Sequence, residues 1–211
     1  MRKIDKTLEA VLRFEKLYPD AICSLEYSDA FQLLVATRLS AQCTDKRVNM
    51  VTPDLFREFP TPEKMANADI ERVEELIKTC GLYKTKAKDL VKLSRQVLED
   101  FDGKVPDTIE ELTTLSGVGR KTANLVVGDI YKKPAVVCDT HFIRICNRLG
   151  LVDSDNPLTV EKAMRKLLPP DKSNDFCHRS VLFGRDVCIA RNPKCSDCVL
   201  ADICPKKIKK K

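Results

Sequence analysis

One lysine in the stretch LSGVGRKTANLVV is placed where a side chain could do chemistry. Lys121 follows Arg120 directly and opens a segment typical of a helix. A helix N-terminus favours negative charge and the neighbouring cation repels another, so both disfavour the protonated amine. A neutral amine can form a Schiff base, whereas an ammonium can hold a phosphate as a point charge. The local sequence leaves both roles open.

The residues before Lys121 predict a tight turn between two helices. Gly117 and Gly119 permit positive φ and leave no side chain to block close approach. Backbone N–H groups from Gly117 through Val118 to Thr122 could then bind a nucleic-acid phosphate without reading sequence. A nucleotide-binding loop is not supported, because an arginine precedes the lysine and the preceding segment is helical instead of a strand. A plain glycine-containing helix turn remains the alternative.

A single carboxylate, Asp139, stands between the apolar run KPAVVC and the helical segment THFIRICNRLG. Its simplest role is that of N-cap, because aspartate is strongly preferred at that position. A carboxylate behind an apolar segment can also be partly desolvated and act as a base, or stabilise a developing cation. The two roles are compatible, since a capping carboxylate has a fixed orientation.

Four of the ten cysteines are clustered near the end of the chain, with the spacing C-x6-C-x2-C-x5-C. Thiolates this close need a metal or cluster to offset their repulsion. Only one short C-x2-C pair is present, which fits neither the usual zinc knuckles nor the bacterial ferredoxin run. Spacing alone therefore leaves zinc and a 4Fe–4S cluster open. The ligands would be Cys188, Cys195, Cys198 and Cys204.

The composition bounds the class of protein. The chain has 211 residues, 43% of them hydrophobic and 32% charged, which is typical of an ordinary globular protein of one or two domains. No stretch is apolar enough to predict a membrane span, and the charged N-terminus is not typical of a signal peptide. The net charge of +6 includes the lysine-rich end KKIKKK, which is either a solubilising tail or an aid to polyanion binding.

The hydrophobic pattern predicts an all-α protein with short connections. The first helix should have a mostly apolar stripe formed by Leu8, Val11, Leu12, Glu15 and Leu17. The segment DAFQLLVATRLSAQ predicts a buried central helix capped by Ser28 or Asp29. Further helices are expected in DIERVEELIKTC, TKAKDLVKLSRQVLEDF, PDTIEELTTLSG, RKTANLVVGDI, DTHFIRICNRLG, TVEKAMRKLL and SNDFCHRSVLFGRDVC.

Three of these helices carry predicted end signals. Gly81 should end the helix DIERVEELIKTC as its C′ residue, and Asp107 should cap the one before the glycine turn. Gly150 should stop the helix that Asp139 begins.

Taken together, LSGVGRKTA, VVCDTH and the terminal cysteine spacing resemble the endonuclease III family, the bacterial DNA glycosylase/AP lyases of the helix-hairpin-helix superfamily. The resemblance extends over essentially the whole chain, including LLVATRLSAQCTD, IKTCGLYKTKA and LFGRDVCIARNPKC. It implies two helical domains with a DNA-binding cleft between them. One spans residues 21–133 and carries the helix-hairpin-helix at about 107–130; the other joins 1–20 to 134–211.

The resemblance also implies the site residues. Lys121 matches the nucleophilic lysine and Asp139 the catalytic aspartate, and the four cysteines match the ligands of a 4Fe–4S cluster. Gln42 and Leu82 match residues inserted into the duplex around an extruded nucleotide. The further DNA contacts implied or inferred are Gly117, Val118, Gly119, Arg120, Lys121, Thr122, His141, Arg191 and Lys194, although the last loop pair could simply be solvated.

The activity implied is excision of damaged pyrimidines from duplex DNA with strand cleavage at the abasic site, by a monomer in the bacterial cytoplasm. An adenine-mismatch glycosylase, a non-catalytic iron–sulfur DNA-binding protein and a zinc module are the alternatives. Two positions depart from the family pattern: Ser116 stands where many members have proline, and Cys138 where a small aliphatic residue is usual. Cys138 suggests a site sensitive to oxidation.

Overall fold

The computed structural model describes residues 1–206, and this part of the chain is helical with no β-strand. The lysine-rich end, apart from Lys206, lies outside the described residues. The helices are α1 (Lys3–Leu17), α2 (Ala30–Ser40), α3 (Asp45–Glu58), α4 (Pro62–Ala66), α5 (Ile70–Leu76), α6 (Tyr83–Phe101), α7 (Ile109–Leu112), α8 (Arg120–Asp129), α9 (Thr140–Arg148), α10 (Pro157–Met164) and α11 (Ser173–Asp186), with a 3-10 helix at Pro170–Lys172. None of the helices described is both long and apolar enough to cross a membrane.

Contacts divide the chain into two compact units. The first, Cys23–Tyr131, contains α2 to α8, and the second combines Met1–Ile22 with the chain from Lys132 onward. The predicted domain limits of 21–133 and 1–20 plus 134–211 remain our proposal for the folding domains.

The Cys23–Tyr131 unit is built around α2. This helix is apolar on all sides, as the sequence predicts, and packs against α3, α6 and α8. The side chains of Leu33, Leu34 and Val35 are fully buried. Asp29 caps the helix by accepting a hydrogen bond from the backbone N–H of Gln32 at 2.8 Å, which confirms one of the two predicted caps.

The second unit has an aromatic core in which α11 packs against α1 and α9. The rings of Phe14 and Phe176 stack with centroids 5.3 Å apart, and Phe14 lies 4.5 Å from Phe183. Phe142 meets Phe176 edge-on at 6.0 Å. This core fixes the position of α9, the helix that begins at the predicted catalytic aspartate.

The predicted apolar stripe of α1 is confirmed at Val11 and wrong at its three leucines. Leu8, Leu12 and Leu17 are exposed by 42%, 55% and 39%, whereas the buried side is formed by Thr7, Ala10, Val11 and Phe14. Both sets have helical spacing. The aromatic core selects the second one, because Phe14 packs between two phenylalanines of α11.

Two predicted helix ends are also wrong. The fifth helix ends at Leu76, and Gly81 does not have the left-handed backbone of a C′ residue. Asp107 does not cap α7. Thr108 does: its hydroxyl accepts from the Glu111 N–H at 3.2 Å and donates to the Glu111 carboxylate at 2.6 Å.

Candidate DNA-binding and catalytic site

The glycine turn lies between α7 and α8, as the sequence predicts. Leu115 and Val118 are buried on its inner side, and the Val118 N–H donates to the Leu115 carbonyl at 3.1 Å. Gly117 has a left-handed backbone, with φ +72°, and the side chain of the next residue, Val118, is buried in the protein. Val118 therefore anchors the hairpin, with its side chain and its N–H both engaged inside the protein.

Polar side chains of α6 hold the turn from behind. The Ser116 N–H donates to the Gln96 side-chain oxygen at 2.7 Å, and the Ser116 hydroxyl contacts Asp89 at 3.1 Å. Asp89 is also paired with Arg38 of α2, at 2.5 Å from Nη2 and 3.0 Å from Nε. These bonds connect the turn to two helices of the core, so the hairpin is preorganised.

Gly117 lies directly against this ion pair. A Cβ there would come within 2.8 Å of Arg38 Cδ and 2.9 Å of Asp89 Oδ2, closer than real contacts allow. Glycine is therefore required for space as well as for its positive φ. Gly119 differs: its φ is −94°, so the expected positive φ is wrong at that position, and a Cβ would meet nothing within 4 Å.

The N-terminus of α8 is open. Gly119 is its N-cap residue and provides no side-chain cap. The first N–H groups of a helix lack intrahelical partners, and the macrodipole adds positive potential at that end. Lys121 and Arg120 are exposed beside it, and Thr122 is half-buried. This arrangement can bind an anion such as a phosphate.

The N-terminus of α9 already has an anion. The predicted cap is confirmed, because Asp139 Oδ1 accepts from the Phe142 N–H at 2.7 Å. The preceding residues 135–138 are buried and extended without a strand partner, and the carboxylate itself is half-buried. Within residues 1–206, Oδ2 makes no hydrogen bond, so the second oxygen can face a reacting group. Lys121 and Asp139 belong to different units.

Two neighbours of Asp139 gain clear structural roles. The His141 ring packs on Gly184 of α11, where a Cβ would lie 2.8 Å from the His141 Cβ, and its Nδ1 is 3.1 Å from Arg144 Nη2. Cys138 is buried, and burial raises the pKa of its thiol to about 12. A protonated, buried thiol reacts slowly with oxidants, which argues against the oxidation sensitivity that the sequence suggested.

Gln42 and Leu82 lie on two segments that meet. Both residues have left-handed backbones, with φ of 54° and 59°, and both are exposed, Leu82 by 57%. A Cβ on Gly81 would lie 3.3 Å from the Gln42 carbonyl oxygen. Non-glycine residues with positive φ are strained and concentrate at functional sites. The structure thus brings together these two predicted DNA contacts.

The four clustered cysteines line one pocket in the second unit. Its empty volume, counted with the solvent at its mouth, is about 400 Å³, and Lys194 also borders it. Across the described residues, no three His, Cys, Asp or Glu side chains are grouped around the position of a single metal ion. The four thiols instead border one common pocket.

The donors fit an iron–sulfur cluster chemically. Backbone N–H groups of Leu200 and Lys206 lie 3.4 Å from the sulfurs of Cys198 and Cys204, as is usual around cluster thiolates. Burial, and then the neighbouring cysteines, raise the pKa of both thiols. Four thiolates in such a pocket require positive charge, which iron would provide. Arg191 and Lys194 of the same loop are exposed.

Two arginines of α9 hold the start of this loop, and sequence reasoning missed both. Arg144 Nε donates to the Cys188 carbonyl at 3.0 Å, and Arg148 donates to the carbonyls of Ile189 at 2.7 Å and Ala190 at 2.9 Å. Arg148 also lies 3.3 Å from the Cys188 sulfur. Their i, i+4 spacing, which places both on one side of the helix, was the available signal. The helix of Asp139 and the cysteine loop are therefore tied together.

Comparison with known proteins gives a consistent result. Residues 35–170 match the family model described as HhH-GPD superfamily base excision DNA repair protein, and residues 188–204 match the iron–sulfur binding domain of endonuclease III. The chain is 46% identical to an endonuclease III of Synechocystis sp. over 204 residues, covering 96% of this chain and 93% of the relative.

Two solved structures are similar over nearly the whole chain. One is described as a non-covalent endonuclease III–DNA complex and the other as a trapped endonuclease III–DNA covalent intermediate. Each has a TM-score of 0.91 and 39% identity, and covers 98% of this chain and 97% of the solved chain.

Proposed function

Because this chain belongs to the HhH-GPD superfamily of base excision DNA repair proteins, we propose that it excises damaged pyrimidines from duplex DNA and then cleaves the strand at the abasic site. It is a DNA glycosylase with associated AP lyase activity, it binds DNA and it carries an iron–sulfur cluster. The preference for pyrimidine lesions, the monomeric state, the 4Fe–4S composition and action in the bacterial cytoplasm belong to the proposal. The observation that carries it is an exposed Lys121 at the open N-terminus of a preorganised hairpin.

Phosphate binding is the first step. Gly117 and Gly119 are exposed, and a phosphate oxygen can approach the backbone at Gly119 where no side chain stands. The cations Arg120 and Lys121 add attraction, and Arg191 and Lys194 provide a second basic contact. These contacts position the DNA without reading its sequence.

Extrusion of the damaged base is the second step, because its bonds are out of reach inside the stack. We assign Gln42 and Leu82 to the space that the nucleotide leaves. Their adjacent, strained segments present an amide that can hydrogen-bond to an unpaired base and an exposed apolar side chain that can stack in the duplex. We also assign to His141 of α9 a contact with the DNA.

Base removal follows from Lys121 and Asp139. The Lys121 ammonium gives up a proton to Asp139, and the neutral amine attacks C1′ of the sugar. The C1′–N bond breaks, and the base leaves with the bonding electrons and takes up a proton. Alternatively, Asp139 remains ionised and stabilises positive charge on the sugar. The capping bond fixes Oδ1 and leaves Oδ2 for this role.

Strand cleavage follows from the covalent intermediate. The attacking nitrogen loses a proton, the C1′–O4′ bond of the sugar ring breaks and O4′ takes up a proton, so that the lysine and C1′ form a Schiff base. Its positive nitrogen acidifies the C2′ proton. Loss of that proton and breakage of the C3′–O bond complete a β-elimination, and water then releases the lysine. Cys188, Cys195, Cys198 and Cys204 would hold the cluster, whose contribution when bound is to order the loop that carries Arg191 and Lys194.

Borohydride trapping on an oligonucleotide with thymine glycol tests the proposal. We expect a covalent protein–DNA adduct that is absent in Lys121→Gln and present in the control Lys104→Gln, another exposed lysine of the same unit. An adduct retained in Lys121→Gln would contradict the assignment of the nucleophile. Excision of adenine opposite a mismatch, without any adduct, would instead support the adenine-mismatch alternative.

A further inference from the structure

Two free cysteines flank the segments that carry Gln42 and Leu82. Cys43 directly follows Gln42, and Cys80 precedes Leu82 by two residues. Cys43 is half-buried and Cys80 is fully buried, and neither is among the cysteines that line the cluster pocket. The Cys43 and Cys80 thiols are close enough for the charge of one to raise the pKa of the other. The two thiols therefore lie where the two segments meet.

Backbone geometry independently shows that these segments are in contact. Gly81, next to Cys80, approaches the carbonyl of Gln42, next to Cys43, so closely that a Cβ would stand 3.3 Å from that oxygen. The N–H groups of Cys43 and Cys80 are bonded within their own turns, to Ser40 at 3.0 Å and Ile77 at 2.8 Å. Both cysteines are thus held at defined positions on short turns.

The charges around the pair offset only part of the effect of burial on the Cys80 thiol. Lys86 is fully buried, donates to the Leu39 carbonyl at 2.8 Å, and its positive charge opposes the rise in the pKa of Cys80, as Arg47 does. Burial is the main reason that this pKa is raised, to about 11, with the Cys43 charge next. By contrast, the thiol of Cys23 faces the carboxylates of Asp129 and Asp45, and its pKa is raised to about 12, mainly by burial.

We propose that Cys43 and Cys80 form a reversible disulfide under peroxide, and that this bond limits DNA binding by joining the segments of Gln42 and Leu82. The effect on DNA binding rests on the proposed function, whereas formation of the disulfide does not. Disulfides in a reducing compartment are usually transient and redox-sensing, which suits a pair that is free in the resting protein.

The chemistry balances with one peroxide. The more accessible Cys43 attacks hydrogen peroxide, the O–O bond breaks, and the products are a sulfenic acid and water. Cys80 then loses its proton and attacks the Cys43 sulfur, releasing a second water as the S–S bond forms. The two thiols lose two electrons in total, which reduce the peroxide to two waters. A dithiol reductant reverses the bond by exchange.

The bond changes the segments because its geometry is stricter than that of a thiol contact. A disulfide requires sulfurs about 2.05 Å apart and Cβ atoms about 3.8 Å apart. Gly81 and the Gln42 carbonyl are already in tight contact, so drawing the sulfurs together displaces the strained residues beside them. A misplacement of about 1 Å near a reacting site can lower activity about 100-fold. We expect incision at subsaturating DNA to fall at least about tenfold.

The test uses the full cluster-containing protein, reduced and then treated with graded hydrogen peroxide. Peptide mapping without reduction locates disulfides, incision of a thymine glycol duplex measures activity, and visible absorbance reports the cluster. We expect a Cys43–Cys80 disulfide and loss of incision together, at peroxide doses that leave the cluster absorbance unchanged, with recovery in dithiothreitol. Cys43→Ser and Cys80→Ala should each lack both effects, and the matched control Cys23→Ser should show both.

Each of the other outcomes would reject one part of the proposal. If no Cys43–Cys80 disulfide has formed at peroxide doses that begin to bleach the cluster, the proposed disulfide site is wrong. A mapped bond with unchanged incision, or equal loss in Cys43→Ser, overturns its control of DNA binding. If the reduced protein cuts no lesion at all, the proposed function fails, while the peptide map still decides whether the disulfide forms.

Discussion

The first turns of α8 and α9 have the same backbone form but opposite chemistry. Both helices follow an extended N-cap residue, Gly119 with ψ 171° and Asp139 with ψ 176°. In α9 a carboxylate of the chain binds the free N–H of Phe142, whereas α8 has no side-chain cap. An uncapped helix start costs stability, since replacing a good cap loses about 1 kcal/mol.

The two helix starts differ in the source of the anion that each can bind. The anion missing at α8 is the one that we expect DNA to supply as a phosphate, and the hairpin is stiffened by Gln96, Asp89 and Arg38 instead of by a cap. The anion present at α9 is a catalytic candidate whose orientation the cap determines. We therefore propose that the start of α8 binds DNA and the start of α9 takes part in the reaction.

Replacing Asp139 by asparagine should produce the largest effect. Asparagine caps as well as aspartate, so the free energy of unfolding should change by less than about 0.5 kcal/mol. The carboxylate charge is lost, so single-turnover base excision should fall roughly 10²- to 10⁴-fold. Denaturant titration and excision kinetics measure the two quantities. If the variant is about as active as the wild-type protein, Asp139 acts only as a helix cap.

Substituting alanine for Gly117 should destabilise the hairpin next most strongly. The new Cβ would adopt an unfavourable φ and overlap the Arg38–Asp89 pair, so we expect a loss of about 1–3 kcal/mol. Denaturant midpoints would record it. Gly119→Ala is the matched control, because its Cβ has open space, and it should lose much less. Equal losses at both positions would contradict the described support of the turn.

A capping carboxylate at Gly119 would make α8 resemble α9. Gly119→Asp fits the open space and should leave stability unchanged or higher by about 0.3 kcal/mol. It should weaken DNA binding about tenfold at low salt, because a fixed negative charge competes with phosphate. Gly119→Asn, which caps without charge, separates capping from repulsion. If both variants bind DNA as wild type does, phosphate does not use this helix start.

Proline at position 116, the residue common in the family, should give the smallest effect. It removes the N–H donated to Gln96 and the hydroxyl bound to Asp89. We expect a loss of about 1 kcal/mol in the free energy of unfolding, with DNA binding changed little. Ser116→Ala keeps the N–H and should lose less. A more stable proline variant would show that backbone rigidity outweighs both bonds.

Local signals predicted the site better than they predicted burial. The helix starts at Asp29 and Asp139 follow from side chains that bond to N–H groups a few residues away. The buried side of α1 was only partly predicted, because Leu8 and Leu12 have helical spacing, as Thr7 and Phe14 do, and only Val11 of the predicted stripe is buried. Only the packing of Phe14 against α11 distinguishes these stripes, and no local pattern contains that contact.

Several functional features depended on residues far apart in the chain. Arg144 and Arg148 reach the cysteine loop some 40 residues later, and Cys43 meets Cys80 across α3 to α5. Gly81 is important because its backbone lies close to the Gln42 carbonyl, and not because it ends a helix. Such roles are set by distances between segments, which one-dimensional spacing does not encode.

The sequence by itself determined the helical class, the glycine turn, the cap at Asp139 and the spacing of four thiols, because each depends on neighbours within a turn or a loop. The tertiary structure decided which glycine needs positive φ, which side of α1 is buried and what supports the hairpin. It also decided which two thiols outside the four-cysteine cluster lie close to each other. These depend on packing and on charges brought together from distant segments, and they exist only once the chain has folded.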